Sequence, residues 1–110
     1  MAKFVKGDIL VVPFPFSDLT QTKRRPAFVL AGPFGDDLIL CQITSQTVKD
    51  EYAIPIGDND FEEGTIKQPS NLRPNRIFTM DSRVVLYRIG TVKPAKLKEI
   101  IEKVIEVLQE

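Results

Sequence analysis

Three short stretches combine cations, amides and hydroxyls, the donors that suit a phosphate-bearing ligand. The first is Lys23-Arg24-Arg25, followed by Pro26. Proline biases the preceding residue toward an extended backbone, so Arg25 is expected on a strand start. A guanidinium there offers a planar fork of donors matched to phosphate oxygens. Taken alone, the run reads more readily as solvated charge at a loop edge. The second stretch is Gln42-Ile43-Thr44-Ser45-Gln46, where an apolar strand turns polar and groups its neutral donors at one end. Alone, it too reads more readily as an ordinary polar strand end. The third runs from Lys67 to Arg76 and includes Asn71, Arg73, Asn75 and Arg76 among prolines. Phe14, Phe16, Phe34 and Phe78 could add stacking faces for unpaired bases, although most of the seven phenylalanines suit a core.

Other chemistries are excluded by residue type. There is no histidine, so neither a Ser-His-Asp or Cys-His arrangement nor an imidazole acid–base pair can form. The single cysteine, Cys41, lies in an apolar run and reads as a core residue. One cysteine and no histidine leave no zinc site. Asp36-Asp37, Asp58/Asp60 and Glu62-Glu63 stand in turn-like stretches and read as solvated loop charge. No metal site and no cofactor are expected. Fifteen Lys+Arg balance fifteen Asp+Glu, which argues against coating nucleic acid by bulk charge and allows a local basic site.

The elements that must position these residues are short. Ile9 to Val12 is a continuous aliphatic run typical of a strand buried on both faces. Pro13 and Pro15 should end it or make it an edge. Ser17 to Arg24 has no hydrophobic period and reads as a polar loop. Pro26–Ala31, Leu38–Thr44, Glu51–Ile56, Ser70–Met80 (interrupted by Pro74) and Tyr87–Val92 read as further strands, with a turn-rich segment at Gly57–Pro69. In the C-terminal segment, Pro94 suits a first helical turn. Leu97, Ile100, Ile101, Val104, Ile105 and Leu108 recur at helical spacing, and Glu99 with Lys103 has i,i+4 spacing. With 110 residues, 43% of them hydrophobic, the chain suits one domain over 1–110. The expected fold is mainly β: a small SH3-like barrel of five to seven strands with an amphipathic helix over its open side. No run approaches the roughly 20 apolar residues of a membrane-spanning helix. No signal-like segment is visible, so a cytoplasmic location is expected.

GDILVVPFPFSDLTQTKRRPAFVL, then LCQITSQ, the RIFTMD segment and a final helical stretch together resemble the MazF/PemK family of toxin–antitoxin ribonucleases, nearest its PemK-like branch. The similarity runs from Lys6 to Leu108. It implies a small, usually dimeric barrel that cleaves single-stranded RNA at short sequences without metal. It further implies neutralisation by a cognate antitoxin through an acidic tail, and operator DNA bound jointly with that antitoxin. The family's principal catalytic arginine falls on Arg25, its transition-state threonine on Thr44 and its second arginine on Arg73. Lys23, Arg24, Ser45, Gln46, Asn75 and Arg76 fall beside them as RNA contacts. Some members carry Glu near Thr20 or a loop histidine, and several carry Asp where this chain has Asn75. The acceptor of the 2′-hydroxyl proton is therefore unassigned. Two other readings remain open at this level: an inactive SH3-like module that binds peptide or nucleic acid, and a homologue kept to pair with an antitoxin.

Overall fold

The computed structural model describes residues 4–15, 22–32 and 35–110. In chain order it shows β1 (Asp8–Pro15), β2 (Thr22–Ala31), β3 (Asp37–Thr44), β4 (Ile54–Ile56) and a 3-10 turn at Asp58–Asp60. There follow β5 (Phe61–Gly64), β6 (Ser70–Asp81), a second 3-10 turn at Ser82–Val84, β7 (Tyr87–Val92) and α1 (Pro94–Leu108). The seven described strands form one antiparallel sheet in the order β4-β6-β3-β2-β1-β7-β5.

The sheet curls into a half-barrel. β4 and β5 are its opposite edges, yet Ile54, Ile56 and Phe61 share one buried cluster with Phe28, Ile43 and Leu72 of the centre. Ile100 and Val104 of α1 complete that cluster and Leu97 and Ile101 pack against it, so the helix closes the concave side. A second cluster covers the convex face: Leu10, Val12, Ala27, Val29, Leu38 and Leu40, with Phe78, Met80 and Val85 against it. β1, β2 and β3 are thus buried on both faces, which is why their sequences are nearly continuous aliphatic runs. The expected mainly-β fold with a covering helix is the fold observed.

Several boundaries differ from expectation, each for a local reason. β1 runs on through its prolines, pairing Pro13 with Arg24 and Pro15 with Thr22, while β7 accompanies it only to Val11. The prolines therefore occupy the stretch where one side of β1 lacks a strand, as an imino nitrogen requires. β2 begins at Thr22, so Lys23, Arg24 and Arg25 lie within a strand and not at a loop mouth. The last residues of the expected loop thus belong to β2, and its residues 17–21, Thr20 among them, lie outside the described residues, as do Phe16 and Phe34. β5 was not expected, because FEEG carries one apolar side chain. Pro74 does not end β6. The register with β3 jumps from Cys41↔Ile77 to Gln42↔Arg73, so Pro74-Asn75-Arg76 bulges out and the ladder resumes.

α1 also departs in detail. Lys96 pairs with Glu99 at 3.0 Å and with Asp60 at 3.5 Å, and Lys103 pairs with Glu106. These replace the Glu99–Lys103 pair that the spacing suggested. Ile105 and Leu108 stay exposed at 48% and 69%, because the helix runs past the cluster that takes Ile100 and Val104. Two loop carboxylates expected to be solvated are structural. Asp60 accepts from the Gly57 amide, and Asp58 accepts from the Ile66 amide and the Thr65 hydroxyl, which hold its carboxyl below the usual range.

Candidate active site

Strand alternation and register decide which polar side chains meet. On β2, Phe28 and Leu30 point to the concave core while Ala27 and Val29 point to the convex one, so Arg25 shares the convex side. On β3, Leu38 and Leu40 face the same way, and Gln42 and Thr44 follow them. β6 brings Leu72 to the concave core, which turns Arg73 to the other face. Ala27↔Gln42 continues to place Arg25 level with Thr44, and Gln42↔Arg73 sets Arg73 across β3 from it. Three neighbouring strands thus deliver an arginine, a threonine and an arginine to one patch.

The patch is a cleft of about 220 Å³, lined by Arg25, Gln42, Thr44, Arg73 and the loop residues Gln46, Thr47, Val48 and Lys49. Thr44 is 6% exposed, and its Oγ1 accepts the Gln46 amide at 3.2 Å, which leaves its O–H to donate. Arg73 Nη2 donates to Asp50 Oδ2 at 2.9 Å. Arg73 Nε is buried without a hydrogen-bond partner among the described residues, a donor that a ligand oxygen would satisfy. Asp50 Oδ1 accepts the Tyr52 and Ala53 amides at 3.0 and 3.1 Å, and Asn75 reaches Oδ2 at 3.5 Å. The Arg73 hydrogen bond, more than any other contact, holds the Asp50 carboxyl below the usual carboxylate range.

The remaining candidates distribute around this cleft. Arg24 and Ser45 fall on the opposite side and line a larger groove of about 710 Å³ with Lys67, Gln68, Tyr87 and Arg88; Arg25 borders both. Asn75 and Arg76 ride on the bulge. Arg76 borders a shallow apolar hollow with Phe14 and Phe78, whose rings meet edge to face with centroids 5.5 Å apart. Lys23 sits farther out on β2 beside Phe14 and lines none of these three hollows.

Lys49 and Asp50 were not singled out by sequence. Their only signal was a cation and an acid in the polar loop just after Thr44. Asp8 was also unassigned: it is 2% exposed, accepts the Val5 amide at 2.9 Å and pairs with Arg88 at 3.2 Å, so it anchors β1 to β7. Cys41 is fully buried, and burial pushes its thiol up to about 12. Among the described residues no group of three or more His, Cys, Asp or Glu is placed to hold a metal ion. No described helix is long and apolar enough to cross a membrane.

The fold has solved relatives. An endoribonuclease from a mycobacterial species, in complex with its cognate antitoxin, superposes with a TM-score of 0.77 at 13% identity, covering 97% of this chain and 96% of that one. A MazE–MazF structure from Deinococcus radiodurans gives a TM-score of 0.78 at 18% identity, covering 99% and 98%. Toxin MazF-mt6 of Mycobacterium tuberculosis gives 0.64 at 17% identity, covering 89% and 93%. At such identities the likeness establishes the fold alone. Among curated proteins no sequence match is found. The family model for PemK-like, MazF-like toxins of type II toxin–antitoxin systems matches residues 5–108, so the chain belongs to that toxin family.

Proposed function

We propose that the protein is a metal-independent endoribonuclease toxin that cleaves single-stranded RNA. The observation that carries this reading is the meeting of Arg25, Thr44 and Arg73 in one cleft, from three adjacent strands. RNA supplies its own nucleophile. The 2′-oxygen bonds to phosphorus as the P–O5′ bond breaks, the 2′-hydroxyl loses a proton and the 5′-oxygen gains one. The products are a 2′,3′-cyclic phosphate and a 5′-hydroxyl, and no water molecule has to be activated. What the protein must supply is alignment and charge stabilisation at phosphorus. Arg25 neutralises the non-bridging oxygens, Thr44 donates its free O–H to one of them, and the Arg73 guanidinium supports the phosphate or the leaving oxygen. Gln46 lines the same cleft, and Arg24 and Ser45 line the larger groove that Arg25 also borders, where they contact the flanking chain; Lys23, Asn75 and Arg76 guide it farther out.

The same cations suit an acidic, extended antitoxin tail, which would then compete with RNA for the cleft. The antitoxin complexes among the solved relatives support that reading. We further propose that the toxin is a homodimer and that it binds operator DNA together with its antitoxin. Ile77, Val84, Leu86 and Tyr87, between 39% and 50% exposed, are the kind of apolar surface that an interface covers. Incubating pure protein with mixed-sequence RNA in EDTA and mapping both new ends tests the chemistry. Cyclic phosphate and 5′-hydroxyl ends are expected; 5′-phosphate ends, or loss of cleavage in EDTA, would contradict it.

A further inference from the structure

The loop from Ser45 to Ala53 walls one side of the cleft, and one carboxylate ties it to the sheet. We infer that Asp50 is a positioning residue for RNA cleavage, holding the Arg73 guanidinium in its working orientation. This inference rests on the ribonuclease reading above. Among the described residues that line the cleft there is no carboxylate; Asp50 stands just behind the lining and reaches it through Arg73.

Its two oxygens divide their work. Oδ1 accepts the amides of Tyr52 and Ala53, which folds the loop back toward β4. Oδ2 accepts Arg73 Nη2 at 2.9 Å and lies 3.5 Å from Asn75 Nδ2 on the bulge. One side chain therefore joins loop, β6 and bulge. A second tie, from Asn71 Nδ2 to the Gln46 carbonyl at 3.2 Å, pins the other end of the loop to β6.

These contacts separate positioning from proton transfer. Oδ1 already accepts two amides and Oδ2 the Arg73 guanidinium, and the Arg73 hydrogen bond above all holds the carboxyl below the usual carboxylate range, which makes Asp50 a poor acceptor for a 2′-hydroxyl proton. The same contacts stop Arg73 from swinging. An arginine side chain is long and rich in rotamers, and without a partner its guanidinium must be ordered anew at each turnover. With Nη2 anchored, the buried and otherwise unsatisfied Nε keeps a fixed position at the cleft wall. The side chains of Arg73 and Asp50 are 20% and 26% exposed, so the pair is partly shielded from solvent while the cleft stays open to substrate.

Substitutions at Asp50 separate this role from a purely structural one. Asn at this position still accepts amide hydrogen bonds in the turn, because Asn and Asp both form such turns, but it cannot make the ion pair. Glu keeps the charge and serves the turn less well. If Asp50 positions Arg73, Asp50→Asn lowers kcat by about 10²-fold with KM little changed, and Asp50→Glu restores much of it. In an Arg73→Ala background, Asp50→Asn then causes little further loss. Nitrogen-15 NMR of the Arg73 guanidinium gives a readout independent of activity. Its Nη protons should be distinct and slowly averaging in the wild type and merged with those of exposed arginines in Asp50→Asn. Asp50→Asn cleaving with the wild-type kcat, Asp50→Glu proving worse than Asp50→Asn, additive losses in the double variant, or unchanged guanidinium signals would each overturn the inference. Wild-type protein that cleaves no RNA would instead overturn the ribonuclease reading, and the guanidinium signals would then decide alone whether Asp50 holds Arg73.

Discussion

Arg25 and Arg73 approach the cleft from the two sides of β3, and Arg73 pairs with the loop carboxylate of Asp50. At the residue scale, Arg25→Ala is expected to lower RNA cleavage by on the order of 10²–10³-fold while leaving the fold intact, since one preorganised charge contact is removed. Arg25→Lys should also be poor, because an ammonium cannot present the planar fork. Single-turnover cleavage rates with circular dichroism as the folding control check both; an Arg25→Ala protein within a few-fold of the wild type would remove Arg25 from the site. The Asp50 carboxyl sets a second expectation. Its folded-state pKa lies below its ordinary value, so the stability it contributes is present above the usual carboxylate range and is lost as pH falls through the lowered pKa. The Tyr52 and Ala53 amides, which it caps, should keep their neutral-pH NMR shifts down to about pH 4 and move below it. A midpoint at or above the ordinary Asp value of about 3.9 would mean that the carboxyl is not held by Arg73.

Between elements, β5 and β7 approach closely at a pair of glycines. Gly64 and Gly90 are register partners there. A methyl on Gly90 would meet the Glu63 carbonyl oxygen and lie 2.8 Å from Phe61 Cδ2. Gly64 has φ +87°, which side chains rarely adopt, and a methyl on it would run into the Ile89 carbonyl. Gly90→Ala should therefore cost about 1–3 kcal/mol by overpacking and lower Tm by about 5 °C or more. The loss should be local to β5: thermal melts and amide exchange would show Phe61 to Gly64 opening first, with the cleft behind β2 and β3 unaffected. A Gly90→Ala protein melting with the wild type would mean that β5 does not pack as described. The bulge at Pro74 works in the other direction. It adds three residues on β6 that β3 does not match, and so carries Asn75 and Arg76 outward without breaking the strand.

Over the whole molecule, the balanced charge leaves attraction for anions to the local cluster of Arg25, Lys49 and Arg73 around the cleft. A homodimer is expected by light scattering at micromolar concentration, with an acidic antitoxin peptide suppressing RNA cleavage in proportion to its occupancy. A monomer at every concentration would refute the dimer. A bound peptide that leaves cleavage undisturbed would show that inhibitor and substrate use different surfaces. Raising salt should weaken RNA binding and peptide binding alike, since both depend on the same few cations.

The fold class was legible in the sequence because it rests on local pattern. Continuous aliphatic runs marked strands buried on both faces, and a 3.6-residue stripe after Pro94 marked α1, whatever their final partners. Arg25, Thr44 and Arg73 could be nominated from the stretches that carry the family resemblance. Their meeting could not be read from the chain, because it depends on the registers of β2 on β3 and β3 on β6, and on the jump at Pro74 that sets Arg73 opposite Gln42. β5 was hidden because FEEG offers a single apolar residue and gains its ladder only once β7 is in place. Asp50 looked like one more polar loop residue. Only the folded chain, by bringing β6 beneath that loop, turned it into the carboxylate that grips Arg73, because an ion pair across 23 residues follows from spatial approach and not from spacing.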